Sequence, residues 1–209
     1  KNSLLVKGHK FHMRVYLHIA NINPKIAFLV PKFLIRLASS EYNPDSTDGS
    51  VHISNMNLSK RLQTEEETLM SQEELQTYMF ENGFALDAEW MENLVVPQLR
   101  QLFAHICNAI KVPQDLNSRF EFLGADVLLL DNFQIQLIEI NRAPALHGQP
   151  IEMREKIMDN VAKIMTQVIV DKKRSTEEIE FDWFLPVIDE SLDDDRKFFD
   201  LLDSTCLLQ

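Results

Sequence analysis

The sequence predicts an α/β (α+β) fold, an antiparallel sheet with packed helices, on three observations. Lys10 to Ile19 alternates strictly between apolar and polar residues, two apolar runs flank Asp131-Asn132, and longer segments carry apolar residues at helical spacing. In the first strand Phe11, Met13, Val15, Leu17 and Ile19 point one way. Lys10, His12, Arg14, Tyr16 and His18 point the other, giving a half-buried strand with a cationic face. A turn at Asn21 to Lys25 leads into a second strand, Ile26 to Leu37, which bears Arg36. The two form an antiparallel pair.

Glu41 to Ser50 is rich in Asn, Pro, Asp, Ser and Gly and reads as a loop, followed by His52-Ile53-Ser54-Asn55. Ser59 to about Asn82 reads as helical, with Glu65-Glu66-Glu67 on an exposed part and Gly83 as the stop. Asp87 to Ile110 is an amphipathic helix interrupted by Pro97 near its first turns. Pro150 to Val170 is a third helix, whose Ile151, Ile157, Val161, Ile164, Met165 and Val168 read as packing residues. From about Lys172 the chain is acidic with interspersed aromatics (Phe181, Trp183, Phe184, Phe198, Phe199), a docking or partner-binding segment. Residues 1–170 therefore form the main lobe and 171–209 a separate tail.

The chemistry concentrates between Gly124 and Pro144. If Asp131-Asn132 is a two-residue hairpin loop, Asp126 falls opposite Leu137, and Asp126, Glu139 and Asn141 share one face. Two carboxylates and an amide oxygen suit a hard cation such as Mg2+, which takes oxygen ligands and leaves positions for substrate phosphate. The bland alternative is a set of polar residues capping a sheet edge. The face argument requires an even-numbered loop, because an odd one without a bulge reverses the parity.

Composition narrows the class. A chain of 209 residues with 45% hydrophobic content fills one ordinary domain or a little more. Cys107 and Cys206 are the only cysteines, which points to a reducing, cytoplasmic setting without a disulfide framework. No apolar run reaches the roughly 20 residues of a membrane span, the start carries no signal-peptide pattern, and its abruptness reads as a piece of a longer protein. The formal net charge of -11 argues against nucleic acid as partner. A polyanionic protein substrate would need a local basic pocket.

Five motifs in order across residues 4 to 156 resemble the tubulin–tyrosine ligase-like family, whose catalytic domains have the ATP-grasp fold. They are Lys10-Phe11-His12-Met13-Arg14, Arg36-Leu37-Ala38-Ser39-Ser40, His52-Ile53-Ser54-Asn55, Gly124-Ala125-Asp126 and Glu139-Ile140-Asn141-Arg142-Ala143-Pro144. Pro144-Ala145-Leu146-His147, then Pro150-Ile151-Glu152 and Lys156, look closer to the glutamylating and glycylating branch than to the tyrosine ligase itself.

That resemblance implies the C-terminal lobe of an ATP-grasp enzyme performing ATP- and Mg2+-dependent amide formation. A protein-tail carboxylate, tubulin's by resemblance, attacks the γ-phosphate to give an acylphosphate and ADP, and the amine of free glutamate or glycine then displaces phosphate. Asp126, Glu139 and Asn141 would hold Mg2+, Asp126 and Glu139 thereby contacting the nucleotide. Lys10, His12, Ser54 and Asn55 would also contact nucleotide. Arg14 and Arg36 would stabilise the transferring phosphoryl group and the acylphosphate as catalytic cations, Arg36 also contacting substrate, and Lys156 would lie near the incoming amino acid. Microtubule association follows from the resemblance alone.

His12 stands where the family usually has Asp, so a pH-sensitive nucleotide contact is expected, an unperturbed histidine titrating near pH ~6.5. Arg142 replaces a small residue beside the metal asparagine, and Met56-Asn57 also departs from the family pattern. The preceding half of an ATP-grasp enzyme is missing from this stretch. Two rivals follow: a catalytically inactive ligase-like scaffold, and an ATP-grasp ligase for a small molecule.

Overall fold

The computed structural model describes residues 2–52, 68–85, 87–111, 119–193 and 197–198. Its strands are β1 (Leu5–Val6), β2 (His9–Ile22), β3 (Lys25–Leu37), β4 (Leu69–Met70), β5 (Glu121–Leu129), β6 (Ile135–Arg142) and β7 (Leu185–Asp189). The helices are the single turn α1 (Gly49–His52), α2 (Gln72–Glu81), α3 (Val96–Ala109) and α4 (Ile151–Ile169). The seven-stranded sheet runs β4-β3-β2-β5-β6, with β1 beside β2 and β7 beside β3. The β1–β2, β3–β4 and β3–β7 pairings are antiparallel, with Leu5 opposite Lys10, Arg36 opposite Leu69 and Ile26 opposite Asp189. The expected mixed fold and antiparallel β2–β3 architecture are what the chain adopts.

The chain divides into two compact units, one of residues 1–15, 32–95 and 125–140, the other of 16–31, 96–124 and 141–209. In the first, α2 starts where its capping box dictates. The Ser71 hydroxyl accepts from Glu74 N at 3.1 Å, and Glu74 Oε2 accepts from Ser71 N at 2.7 Å. The helix expected from Ser59 to about Asn82 does not run through Leu69–Met70, which is a strand on the edge of β3; among the described residues its helical part is Gln72–Glu81. Residues 59–67 lie outside the described residues. Gly83, at φ 71°, ends the helical stretch as expected.

The helix expected from Asp87 is also shorter. A π-helical turn, Met91–Val95, precedes α3, and Pro97 sits at the second position of α3. Proline lacks an N–H and crowds the carbonyl four residues back, so a widened turn accommodates it there.

The second unit has its own core. Tyr16, Ala20, Ile26, Phe28 and Val30 from β2 and β3 pack with Ile157, Val161, Ile164 and Val168 of α4, with Ile179 and Phe184 alongside. The α4 residues recur every three or four positions, which lines one helical face. Ile151, counted into that face from the sequence, is 60% exposed and lies off it. Along α3, Leu99, Phe103 and Cys107 are buried. Arg100 donates from Nε and Nη2 to the Pro186 carbonyl at 3.0 and 2.7 Å, tying α3 to β7.

Asp189, fully buried at the end of β7, accepts from Thr176 N and Oγ1, Ser175 Oγ, and Ser191 N and Oγ. Burial alone would raise its carboxyl pKa, but these bonds outweigh it and hold the group below the usual carboxylate value. It is a structural carboxylate, satisfied on both oxygens.

Candidate functional site

The polar face of β2 is buried, not solvated. His12 is 5% exposed and Arg14 8%, and Tyr16 and His18 are fully buried. Because β2 lies between β3 and β5, Arg36 of β3 and Asp126 of β5 reach the same neighbourhood as His12 and Arg14. All four belong to the first compact unit.

Arg14 and Asp126 meet fork to fork. Nη2 donates to Asp126 Oδ2 at 2.8 Å, and Nε donates to Oδ1 in a shorter contact. His12 Nε2 stands 3.5 Å from the same Oδ1. Burial works to raise the Asp126 pKa, but the Arg14 hydrogen bond, His12 once protonated at acid pH, and the charges of Arg14 and Arg36 override it and hold the carboxyl low. Burial pushes His12 down to about 4, helped by Arg36 and Arg14, with Asp126 opposing. His12 is therefore neutral at physiological pH, which corrects the pH-sensitive contact expected from an unperturbed imidazole.

The buried quartet carries two permanent cations, one carboxylate and a neutral imidazole. Its net positive charge suits an anionic group, and its carboxylate already grips a cation. A buried carboxylate whose two oxygens accept a charged fork is chemically suited to a metal cation as well. The net-positive set suits a phosphate, and Asp126 is the one carboxylate among the four that offers oxygen donors to a cation.

Lys10 lies at the start of the same strand face. Its Nζ is 3.3 Å from His52 Nδ1 and 4.5 Å from the centroid of the Tyr42 ring. His52 Nε2 lies 2.6 Å from the Ser46 carbonyl, which assigns the ring proton to Nε2 and leaves Nδ1 to accept from Lys10. Tyr42 and His52 thus aim the ammonium. Neither was singled out as a site residue from the sequence, although His52 opens one of the family-like motifs.

The β5–β6 turn corrects the parity argument. Phe133 N donates to Leu130 O and Leu130 N donates to Gln134 O, both at 2.9 Å, and Phe133 takes φ 60°. The loop therefore has three residues, Asp131, Asn132 and Phe133, with the left-handed residue at its end. Asn132 Oδ1, 3.3 Å from Gln134 N, braces it. Continued without a bulge, that register sets Asp126 opposite Ile138 in place of Leu137. The shared face of Asp126 with Glu139 and Asn141 then no longer follows from the turn.

Glu139 and Asn141 do share one face of β6 by alternation; Glu139 is exposed and Asn141 half-buried. Among the described residues no three His, Cys, Asp or Glu side chains come together in a group that could hold a metal ion. Arg142 is exposed and donates from Nη2 to Glu121 Oε1 at 2.8 Å. Lys156 is exposed on α4, in the second unit. Ser54 and Asn55 lie outside the described residues, as do Met56 and Asn57. No helix among the described residues is long and apolar enough to cross a membrane.

Comparison with known proteins places these features. The Tubulin-tyrosine ligase family model matches residues 1–177. The "Inactive polyglycylase TTLL10" of Homo sapiens is 32% identical over 183 residues, 84% of this chain and 27% of its own length. The "Protein polyglycylase TTLL10" of Macaca fascicularis is 33% identical over 165 residues, 75% of this chain and 26% of its own. The "Tubulin monoglutamylase TTLL4" of Mus musculus is 25% identical over 169 residues, 73% of this chain and 14% of its own. The chain spans about a quarter of the length of the first two relatives. A glycylase and glutamylase branch is thus the set of proteins it is similar to, and the chain belongs to the tubulin–tyrosine ligase family.

Proposed function

We propose that this chain is the C-terminal part of an ATP- and Mg2+-dependent ligase that joins glycine or glutamate to a carboxylate of a protein tail, tubulin being the first candidate. The observation that carries the reading is the buried, net-positive Arg14–Asp126–His12–Arg36 cluster in a chain of this family. The names of the relatives, a polyglycylase and a tubulin monoglutamylase among them, support the substrate class. The setting is then cytoplasmic and microtubule-associated. Residues 1–170 supply the lobe, and 171–209 a docking segment of which β7 is seated on β3.

The reaction class is amide formation through an acylphosphate. The tail carboxylate takes the γ-phosphoryl group of ATP with ADP as the leaving group, and the amine of the amino acid then attacks the acyl carbon and expels phosphate. Bound Mg2+ would supply charge neutralisation at the phosphates, with Asp126, Glu139 and Asn141 as its protein ligands. Arg14 and Arg36 hold fixed positive charge where negative charge develops, which needs no reorganisation during reaction. Lys10, aimed by His52 and Tyr42, adds a cation for a nucleotide phosphate. His12, neutral, offers a hydrogen bond to nucleotide without adding charge, and Ser54 and Asn55 complete the nucleotide contacts. Lys156 serves the incoming amino acid.

Full-length protein incubated with ATP, Mg2+, tubulin and labelled glycine or glutamate tests the reading. Label transferred to tubulin and lost in Arg36→Gln supports it. A folded protein that transfers neither amino acid, while still binding tubulin, favours a second reading, a catalytically silent ligase-like scaffold. The name "Inactive polyglycylase" of one relative gives that second reading its specific motive.

A further inference from the structure

Away from the cluster at Asp126, the first unit contains a cavity of about 310 Å³ lined by Phe84, Ala85, Asp87, Trp90, Asn93, Leu94 and Phe133. Its size suits one long side chain, lying at the lower end of ligand pockets, which run to roughly 300–1,000 Å³. Three aromatic rings line it. Trp90 and Phe133 meet edge-on with centroids 5.4 Å apart, and Phe84 is 48% exposed at the rim, backed by Tyr78 at 6.2 Å.

Phe133 reaches this wall from a left-handed backbone conformation, φ 60°, that bulky residues seldom adopt. The hairpin tip is thereby held in a costly shape that delivers an aromatic ring to the cavity.

The charged element of the wall is Asp87. Its Oδ1 accepts from Glu89 N at 2.9 Å and its Oδ2 from Asn93 Nδ2 at 2.7 Å. These bonds hold its carboxyl ionised well below neutral pH. Each oxygen keeps a further lone pair for an incoming donor. The sequence from Ser71 to Leu99 carries Glu73, Glu74, Glu81, Asp87, Glu89 and Glu92 and no Lys, Arg or His, although Lys32 pairs with Glu73 and Lys7 stands near Glu74.

Aromatic faces around a carboxylate attract a cation with an apolar stem. The stem covers the rings, the charge sits over their faces and the carboxylate takes the N–H donors. Arginine fits better than lysine, because its planar guanidinium stacks on rings and pairs with both carboxylate oxygens. We propose that this cavity is a docking site for an arginine side chain of a polypeptide partner. Phe133 lies seven residues from Asp126, on the order of 20 Å along an extended strand, so the site is an exosite and not part of the cluster at Asp126.

The test uses full-length protein carrying 5-fluorotryptophan, the Trp90 resonance being assigned by its loss in Trp90→Phe. N-acetyl-arginine-N-methylamide is titrated in, beside the neutral citrulline analogue and the leucine analogue. A saturable Trp90 shift is expected for the arginine compound, roughly fivefold weaker for citrulline, and weakened by salt. Asp87→Asn and Phe84→Leu, both at exposed positions, should each reduce binding at least about threefold with unchanged circular dichroism. The absence of a saturable shift, a leucine analogue that binds as tightly as arginine, or unchanged binding in folded Asp87→Asn would each overturn the proposal.

Discussion

Arg14 of β2 and Asp126 of β5, 112 positions apart in sequence, form a two-pronged ion pair in which each residue is less than a tenth exposed. The family's motifs would assign these two residues to opposite duties, one facing phosphate and the other facing metal. Here they pair with each other, each offsetting the other's charge.

The pair should be worth more to stability than its location in a binding site suggests. Removing one partner leaves a buried charge without compensation, which typically costs about 3–5 kcal/mol. Arg14→Met is therefore expected to lower the urea midpoint sharply, and Arg14→Met with Asp126→Leu to recover most of the loss. Denaturant unfolding of the three variants and the parent checks this; simple additivity of the two single losses would refute a direct coupling.

Two buried histidines make acid stability predictable. Burial pushes His12 and His18 each from 6.5 to about 4; for His18 the Glu121 backbone pulls weakly the other way without reaching hydrogen-bond geometry. Between those values the unfolded chain binds protons that the folded chain refuses. Stability is then full above pH ~6.5 and declines as pH falls toward 4, by on the order of 3 kcal/mol for each group. His18→Leu should flatten about half of the histidine-dependent decline between pH 6.5 and 4.5 in urea titrations. An unchanged slope would show that His18 is already charged in the fold.

Packing on α4 gives a sharp contrast. Ile164 is fully buried against Tyr16 and Phe28's cluster, whereas Ile151 is 60% exposed. Ile164→Ala should cost about 2–5 kcal/mol and Ile151→Ala no more than ~0.5 kcal/mol. Thermal unfolding of the two variants distinguishes them, and equal losses would place α4 on a different face.

These comparisons show what the residues disclosed in advance. The alternation of Phe11 to Ile19 gave the strand because period two is a backbone property. It could not show that Arg14, Tyr16 and His18 are also covered, since that depends on Asp126 and α4, far away in sequence. Ile157, Val161, Ile164 and Val168 were legible as a core face; Ile151, in the first turn, falls beyond the surface that the helix covers.

The hairpin at Asp131 failed at one residue. Asn132 takes up left-handed conformations readily, yet Phe133 is the residue that does so, and no local propensity would select it. The ion pair is not legible in the sequence because the motifs give Arg14 and Asp126 a ligand each, and nothing in either motif says that the two face each other. The motif His52-Ile53-Ser54-Asn55 yielded one readable position, His52, which turns out to orient Lys10.

The most direct measurement is calorimetric titration of ATP into full-length protein with and without Mg2+, for wild type and Asp126→Asn. The cluster at Arg14 and Asp126 predicts binding that strengthens at least about tenfold with Mg2+ in wild type, and loses that dependence in a folded Asp126→Asn protein. Equal affinity with and without Mg2+, or a variant that keeps the full metal dependence, would contradict the assignment of Asp126 to the metal and of this cluster to the nucleotide.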